Sequence, residues 1–256
     1  MVKNTYELTA PKVANNRDLT GSIPKTCDPM MIPDPREGFF LSIVASRGSG
    51  KSYLMYNLLS RWYANCFDKV LIFNPSLGND LTLSPESLKL PEECFYDHID
   101  TDVIKETIAE QVKEKKDYDS GNYKKKYLSR VLIVFSDCIS DKAFTSNNNQ
   151  NLLNMLAFKG RHLRISVILD SQSYTGGLSK RMRVNCPNWI FFKSENLKER
   201  KAMCEEIGGT CSEKGFTAMF DQATKEPYDF FFIYGTCPNK DFRFRRNIDN
   251  ILLYEK

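Results

Sequence analysis

Eight consecutive residues, Ala45-Ser46-Arg47-Gly48-Ser49-Gly50-Lys51-Ser52, have the types and spacing that hold a phosphate chain. The strict phosphate-binding loop is Gly, four residues, then Gly-Lys-Ser/Thr. Here Ala45 stands at the first glycine. Gly48 and Gly50 let the backbone curl until its N–H groups face inward as an anion nest. Lys51 reaches the outer phosphates, and the Ser52 hydroxyl can ligate Mg²⁺. The helix that begins here, carrying Tyr53 in its first turn, adds the positive end of its dipole to the same anion. Residues 45–53 are therefore the expected nucleoside triphosphate site.

Two further positions can act on a bound phosphate. The apolar run Arg130–Phe135 ends in Ser136-Asp137. An acid at the end of a buried strand can hold the Mg²⁺ shell or polarise the attacking water. Read directly against the usual pattern of four apolar residues and two acids, Ser136 takes the metal position and Asp137 the water-activating one. Shifted by one, Asp137 joins the metal shell and Cys138 stands where a base belongs. The run Arg164–Leu169 ends at Asp170-Ser171-Gln172, which can bring the Gln172 amide to the γ-phosphate or leave it an ordinary loop glutamine. Arg161, ahead of that strand, lies far from its own phosphate loop and can project toward a neighbour's nucleotide. His162 reads as a packing or surface residue.

These residues need elements to position them. Phe39–Val44 is apolar and of strand length, and Lys51–Cys66 has helical periodicity, with Leu54, Leu58, Leu59 and Trp62 on one face. Apolar strands alternate with helices through the chain, predicting an α/β fold with a mainly parallel central sheet flanked by helices. Ligands on such sheets sit at the carboxyl ends of the strands. Helices are predicted over Leu197–Ile207, stopped by Gly208-Gly209, and Glu213–Ala223. Residues 74–100 read as a long loop with one helical turn, 117–127 as a polar excursion. Residues 242–246, Phe-Arg-Phe-Arg-Arg, read as a period-two edge strand. Residues 1–37, punctuated by Pro11, Pro24, Pro29, Pro33 and Pro35, read as an extended arm before a single domain, 38–256.

The chain has 256 residues, 41% of them hydrophobic, which is enough for a real core. Its eight cysteines form no CxxC pair and it has only two histidines, so no spacing supports zinc. The cysteines read as reduced thiols of an intracellular protein. No leader and no membrane-spanning run is visible. The net charge of +4 is too mild to argue nucleic-acid binding by itself. Lys113–Lys126, Lys180–Arg183 and Lys240–Arg246 are locally basic.

The order of phosphate loop, acid-tipped strand, and Arg161 eleven positions before Gln172 resembles the FtsK–HerA superfamily of DNA-pumping ATPases. Within it, the stretch Gly160-Arg161-His162-Leu163-Arg164-Ile165-Ser166-Val167-Ile168 is most similar to the genome-packaging ATPases of poxviruses, other large DNA viruses and virophages. The resemblance spans about residues 38–193. It implies a P-loop NTPase fold of RecA-like type, hydrolysis of ATP with Mg²⁺, a homo-oligomeric ring of five or six subunits, double-stranded DNA in the channel, and capsid or portal-vertex partners in the host cytoplasm or virion. It implies Lys51 and Ser52 at the phosphates and metal, Asp137 as the acid, Gln172 as the sensor and Arg161 as a finger acting in trans, with Arg181 and Arg183 as a second candidate. Ser136 departs from the family pattern, which expects an acid there.

Two other readings fit part of the sequence. A nucleoside or nucleotide kinase fits the size, and Ser179-Lys180-Arg181-Met182-Arg183 resembles an arginine-bearing lid. However, the second strand ends in Asn-Pro-Ser rather than an acceptor acid. A slowly hydrolysing structural subunit fits Ser136.

Overall fold

Alternating apolar strands and helices produce one ten-stranded sheet among the residues that the computed structural model describes, which are 2–7, 27–123, 125, 127–138, 152–209 and 211–254. Most of the expected arm (8–26), together with Lys124 and Lys126 of the basic excursion, lies outside them. Six strands run parallel, in the spatial order β7 (Asn188–Phe192), β2 (Phe40–Val44), β6 (Ile165–Ser171), β5 (Val131–Phe135), β3 (Lys69–Phe73) and β4 (Phe95–Tyr96). Beyond β7 the sheet continues antiparallel through β8 (Phe230–Tyr234), β9 (Phe244–Arg246), β10 (Asn250–Tyr254) and β1 (Val2–Glu7).

The parallel strands are continuous apolar runs because both of their faces are covered. Successive side chains point to opposite faces. Val131, Ile133 and Phe135 of β5 enter one core, while Leu132 and Val134 enter the other. The first core is roofed by the helices Leu152–Lys159, Leu197–Ile207 and Glu213–Ala223, which contribute Leu156, Met203 and Phe220 among others. The second is roofed by the helix that follows the phosphate loop, through Leu54, Met55, Leu58 and Leu59. Each fully buried Leu or Phe contributes about 1.5–3 kcal/mol against leaving it exposed.

Three sequence expectations need correction. The first helix is regular only over Lys51–Asn57, and Leu58–Trp62 forms a π turn. Its signature is the Tyr63 N–H donating to the Leu58 carbonyl at 2.8 Å, five residues back. Leu58 and Leu59 stay buried, while Trp62 moves to the rim of the core. Residues 74–100 are more ordered than a loop. They hold a helical turn at Pro85–Leu88, capped by Ser84, and 3₁₀ turns at Leu81–Leu83 and Glu92–Cys94 ahead of β4.

The third concerns 242–246. Lys240–Phe242 is a 3₁₀ turn, and β9 lies between β8 and β10 rather than at an edge. Alternating arginines suggest a solvated face, yet Arg245 is fully buried. Its five N–H donors are all used. Nε donates to the Phe242 carbonyl, Nη1 to those of Met31 and Ile248, and Nη2 to that of Met30 and to Cys237 Sγ. A guanidinium with every donor satisfied can be buried without an acid beside it. It clamps residues 30–31 onto the sheet.

Candidate active site

The phosphate loop leaves the carboxyl end of β2. Its first residue is tied to the neighbouring strand, the Ala45 N–H donating to the Ser171 carbonyl at 2.9 Å. Gly48 and Gly50 take φ of 77° and 95°, left-handed values that the curl of the loop requires. Over the loop lies a cavity of about 680 Å³ whose walls include Gly48, Lys51, Ser52, Asp137 and Gln172. The structure thus brings together four of the residues singled out in sequence, Lys51, Ser52, Asp137 and Gln172. They come from the ends of β2, β5 and β6.

Strand order explains the meeting. β6 sits between β2 and β5, and its register pairs Leu169 with Phe135 on one side and Ser171 with Val44 on the other. Asp170 shares a face with Ile168, which belongs to the core beneath the phosphate-loop helix. Its carboxylate therefore rises toward Lys51, whose Nζ donates to Asp170 Oδ1 at 3.0 Å and to Asp137 Oδ1. Ser136 continues the same face of β5, and its hydroxyl donates to Asp170 Oδ2 at 2.8 Å. The Asp137 N–H adds a bond to Asp170 Oδ1 at 3.0 Å. Asp137 itself, at φ 53°, is in the left-handed region, which Asp tolerates better than most residues. That kink at the strand end turns its side chain back to the lysine instead of onto the opposite face.

Asp170 is the residue that sequence reasoning missed. Its position is where the departure at Ser136 is answered, because a carboxylate from the adjacent strand occupies the space in front of the serine hydroxyl. The signal was an acid inside a seven-residue strand that is otherwise buried and mostly apolar, since a buried charge must be paired. Burial pushes the Asp170 carboxyl above its ordinary value, with Lys51, the Asp137 N–H and the Ser136 hydroxyl pulling against it. For Lys51 burial acts downward, but Asp170 and Asp137 more than offset it and hold the ammonium above its usual range. The lysine is thus a firm cation at neutral pH.

Arg161 is not part of this cluster. It stands exposed in the 3₁₀ turn Gly160–Leu163, against Gly38, at the opposite end of β2 and β6 from the loop. Arg183 is committed elsewhere. Its Nε and Nη2 each donate to Glu206 at 2.8 Å, and Nη1 to the Leu178 carbonyl. It therefore serves neither as a finger nor as a lid arginine, and the basic segment 180–183 presents only Lys180 and Arg181 at the surface. In Lys240–Arg246, Arg245 is buried and Arg246 pairs with Asp229 at 2.6 Å. That run is structural rather than a basic patch. Among the described residues, no helix is long and apolar enough to cross a membrane.

The fold is similar to solved P-loop proteins. The genome packaging NTPase B204 from Sulfolobus turreted icosahedral virus 2, in complex with AMPPCP, aligns with a TM-score of 0.53 at 13% identity, covering 82% of this chain and 97% of that one. Its complex with ATPγS gives 0.52 at the same identity and coverage. The conjugation coupling protein TcpA of pCW3, with ATPγS, gives 0.52 at 16% identity, covering 86% of this chain and 60% of that one. No curated protein sequence matches the chain significantly. The model of the poxvirus A32 protein family matches residues 35–215, a span that takes in the phosphate loop, β5 and β6 together. With well over half of its length inside that match, the chain belongs to the poxvirus A32 protein family.

Proposed function

We propose that this protein is an ATP-hydrolysing motor that drives double-stranded DNA into a viral capsid. The observation that carries the reading is the cluster in which Lys51 is held between Asp137 and Asp170, at the mouth of a phosphate loop whose strand is separated from β5 by β6. Membership of the poxvirus A32 family and the likeness of fold to a packaging NTPase support it.

The donors suit a magnesium-bound triphosphate. No group of three His, Cys, Asp or Glu among the described residues can hold a metal by itself. Mg²⁺ would instead take one or two protein oxygens, with substrate phosphates and water supplying the rest. The Ser52 hydroxyl and the Asp137 carboxylate are the hard oxygen donors in place, and Asp170 supports them. When bound, the ion neutralises and orients the phosphates. On triphosphate entry, the Lys51 ammonium exchanges its carboxylate partners for phosphate oxygens. That frees the Asp137 carboxylate, 40% exposed, to serve as the second oxygen donor to the ion and from there to orient the attacking water. Asp170, almost without exposure, keeps the Ser136 hydroxyl and the Asp137 N–H, and so fixes the geometry of both. Gln172, in the cavity wall, hydrogen-bonds the terminal phosphate and reports its loss.

Arg161, at the end of β6 opposite the phosphate loop, completes the site of an adjacent subunit, and the active form is a ring of five or six copies. Lys180 and Arg181, together with the excursion at 117–127 that carries the exposed Lys125, are the cations offered to DNA phosphates, and capsid or portal proteins are the further partners. The deciding experiment is the ATPase rate with and without double-stranded DNA. Stimulation by DNA that falls steeply with salt supports a motor. Turnover only with a small phosphate acceptor would replace it with a kinase. Tight ATP binding without turnover would replace it with a structural subunit.

A further inference from the structure

The cavity over the phosphate loop does not end at Tyr53. A second cavity of about 620 Å³ opens beside it along the flank of the first helix, and the two share Gly50, Tyr53 and Tyr228 as common walls. Trp62 and Phe230 make its apolar side, and Asp249 stands half-buried on its rim. Tyr53 and Tyr228 are 68% and 71% exposed, so neither ring is spent on the protein's own core.

Tyr228 is also strained. Its φ is 67°, a left-handed backbone that bulky residues rarely adopt. Its neighbours hold it there. Asp229 accepts from Arg246 Nε at 2.7 Å and from Asn247 Nδ2 at 2.8 Å, and the Phe230 N–H donates to Asn247 Oδ1 at 3.2 Å. The effect is to lay the tyrosine ring against Gly50 of the phosphate loop, where an added Cβ would stand 3.0 Å from Tyr228 Cδ1. Strain maintained at an exposed aromatic, and directed at a binding loop, points to a ligand.

We propose that this groove is the nucleoside half of the site. With phosphates on residues 48–52, the base lies among the rings of Tyr228, Tyr53 and Trp62, and Asp249 accepts from the ribose hydroxyls. The proposal rests on the nucleotide-hydrolysing function argued above and adds where its selectivity resides. Tyr228, Phe230 and Asp249 lie beyond residue 215, where the family match ends. The antiparallel strands after β7 therefore complete a nucleotide site that the phosphate loop only begins.

The test is calorimetric titration of the full chain with MgATP and with inorganic tripolyphosphate, which has no base or ribose. Wild type is expected to bind both, ATP more tightly. Tyr228→Ala is expected to weaken ATP about tenfold, the scale of a lost base stack, and to leave tripolyphosphate unchanged. Tyr228→Phe keeps the ring and should keep ATP affinity. Tyr228→Gly should lose it while its melting temperature holds or rises, because glycine adopts a positive φ freely. Trp62 fluorescence should respond to ATP and not to tripolyphosphate, whereas Trp189 is buried in the core. Equal ATP affinity in wild type and Tyr228→Ala, or parallel loss of both ligands, overturns the groove. Wild type that binds neither probe overturns the proposed function itself, a result distinct from either.

Discussion

Ser136 and Asp170 are partners across the β5–β6 boundary, hydroxyl to carboxylate at 2.8 Å. The acid absent from the end of β5 is supplied one strand over, on the same face of the sheet. Exchanging the two residues should therefore matter less than changing either. Ser136→Asp alone sets two carboxylates side by side in a buried place, and we expect a loss of about 1–3 kcal/mol of stability together with most ATPase activity. Asp170→Asn keeps the shape but removes the charge facing Lys51, and should lower turnover about 100-fold or more. The double exchange Ser136→Asp, Asp170→Ser should recover stability and at least part of the rate. A double-mutant cycle by denaturant melts and ATPase assays measures the coupling. Additive losses would mean that the two positions act separately.

Lys51→Ala should abolish MgATP binding or turnover. It also leaves Asp170 buried without its cation, so the nucleotide-free protein should be destabilised by about 3 kcal/mol at neutral pH. Adding Asp170→Asn to Lys51→Ala should return part of that stability and none of the activity. Thermal melts of the four proteins check this, and retained turnover in Lys51→Ala would remove the loop from the mechanism.

Arg161→Ala should spare nucleotide binding and lose hydrolysis, because the side chain stands at the wrong end of the sheet for its own loop. Mixed with Asp137→Ala subunits, it should regain part of the activity, since some interfaces then pair an intact arginine with an intact acid. An inactive mixture at all ratios would give Arg161 a role within its own subunit.

Glu206 sets a pH prediction. Hydrogen bonds from Arg183 hold its carboxyl below the ordinary 4.5, against the upward push of burial, and the Tyr174 hydroxyl assists. A depressed carboxyl contributes stability that is complete above its unfolded value and lost as pH falls through its folded one. Wild type should therefore lose stability below about pH 4.5, whereas Glu206→Gln should start less stable at pH 7 and show a shallower acid limb. Parallel acid limbs in the two proteins would show that the pair does not carry this dependence.

How much of this was legible depended on whether a local rule or a long-range one was in control. The helices Leu197–Ile207 and Glu213–Ala223 could be bounded from sequence because Asn196 and Ser212 cap their first turns and Gly208 follows the former. The phosphate loop was legible for a similar reason, its spacing being fixed by a phosphate chain that consecutive residues wrap. Asp170 was not, because its meaning depends on β6 lying beside β5, which no residue in either strand announces. Arg245 misled for the opposite reason. Alternation predicts a wet face, and only the fold reveals that five acceptors converge on its guanidinium. The run Asn250–Tyr254 carries no two-residue alternation, so β10 becomes visible only through its partners β9 and β1.

The pairing of β1 with β10 also imposes an order of events in the cell. Val2–Glu7 leaves the ribosome more than two hundred residues ahead of the strand it joins. At about 5–20 residues per second, that is a delay on the order of tens of seconds. Through that interval the first strand lacks the partner it pairs with, and the last seam of the fold stays open until translation has passed Tyr254.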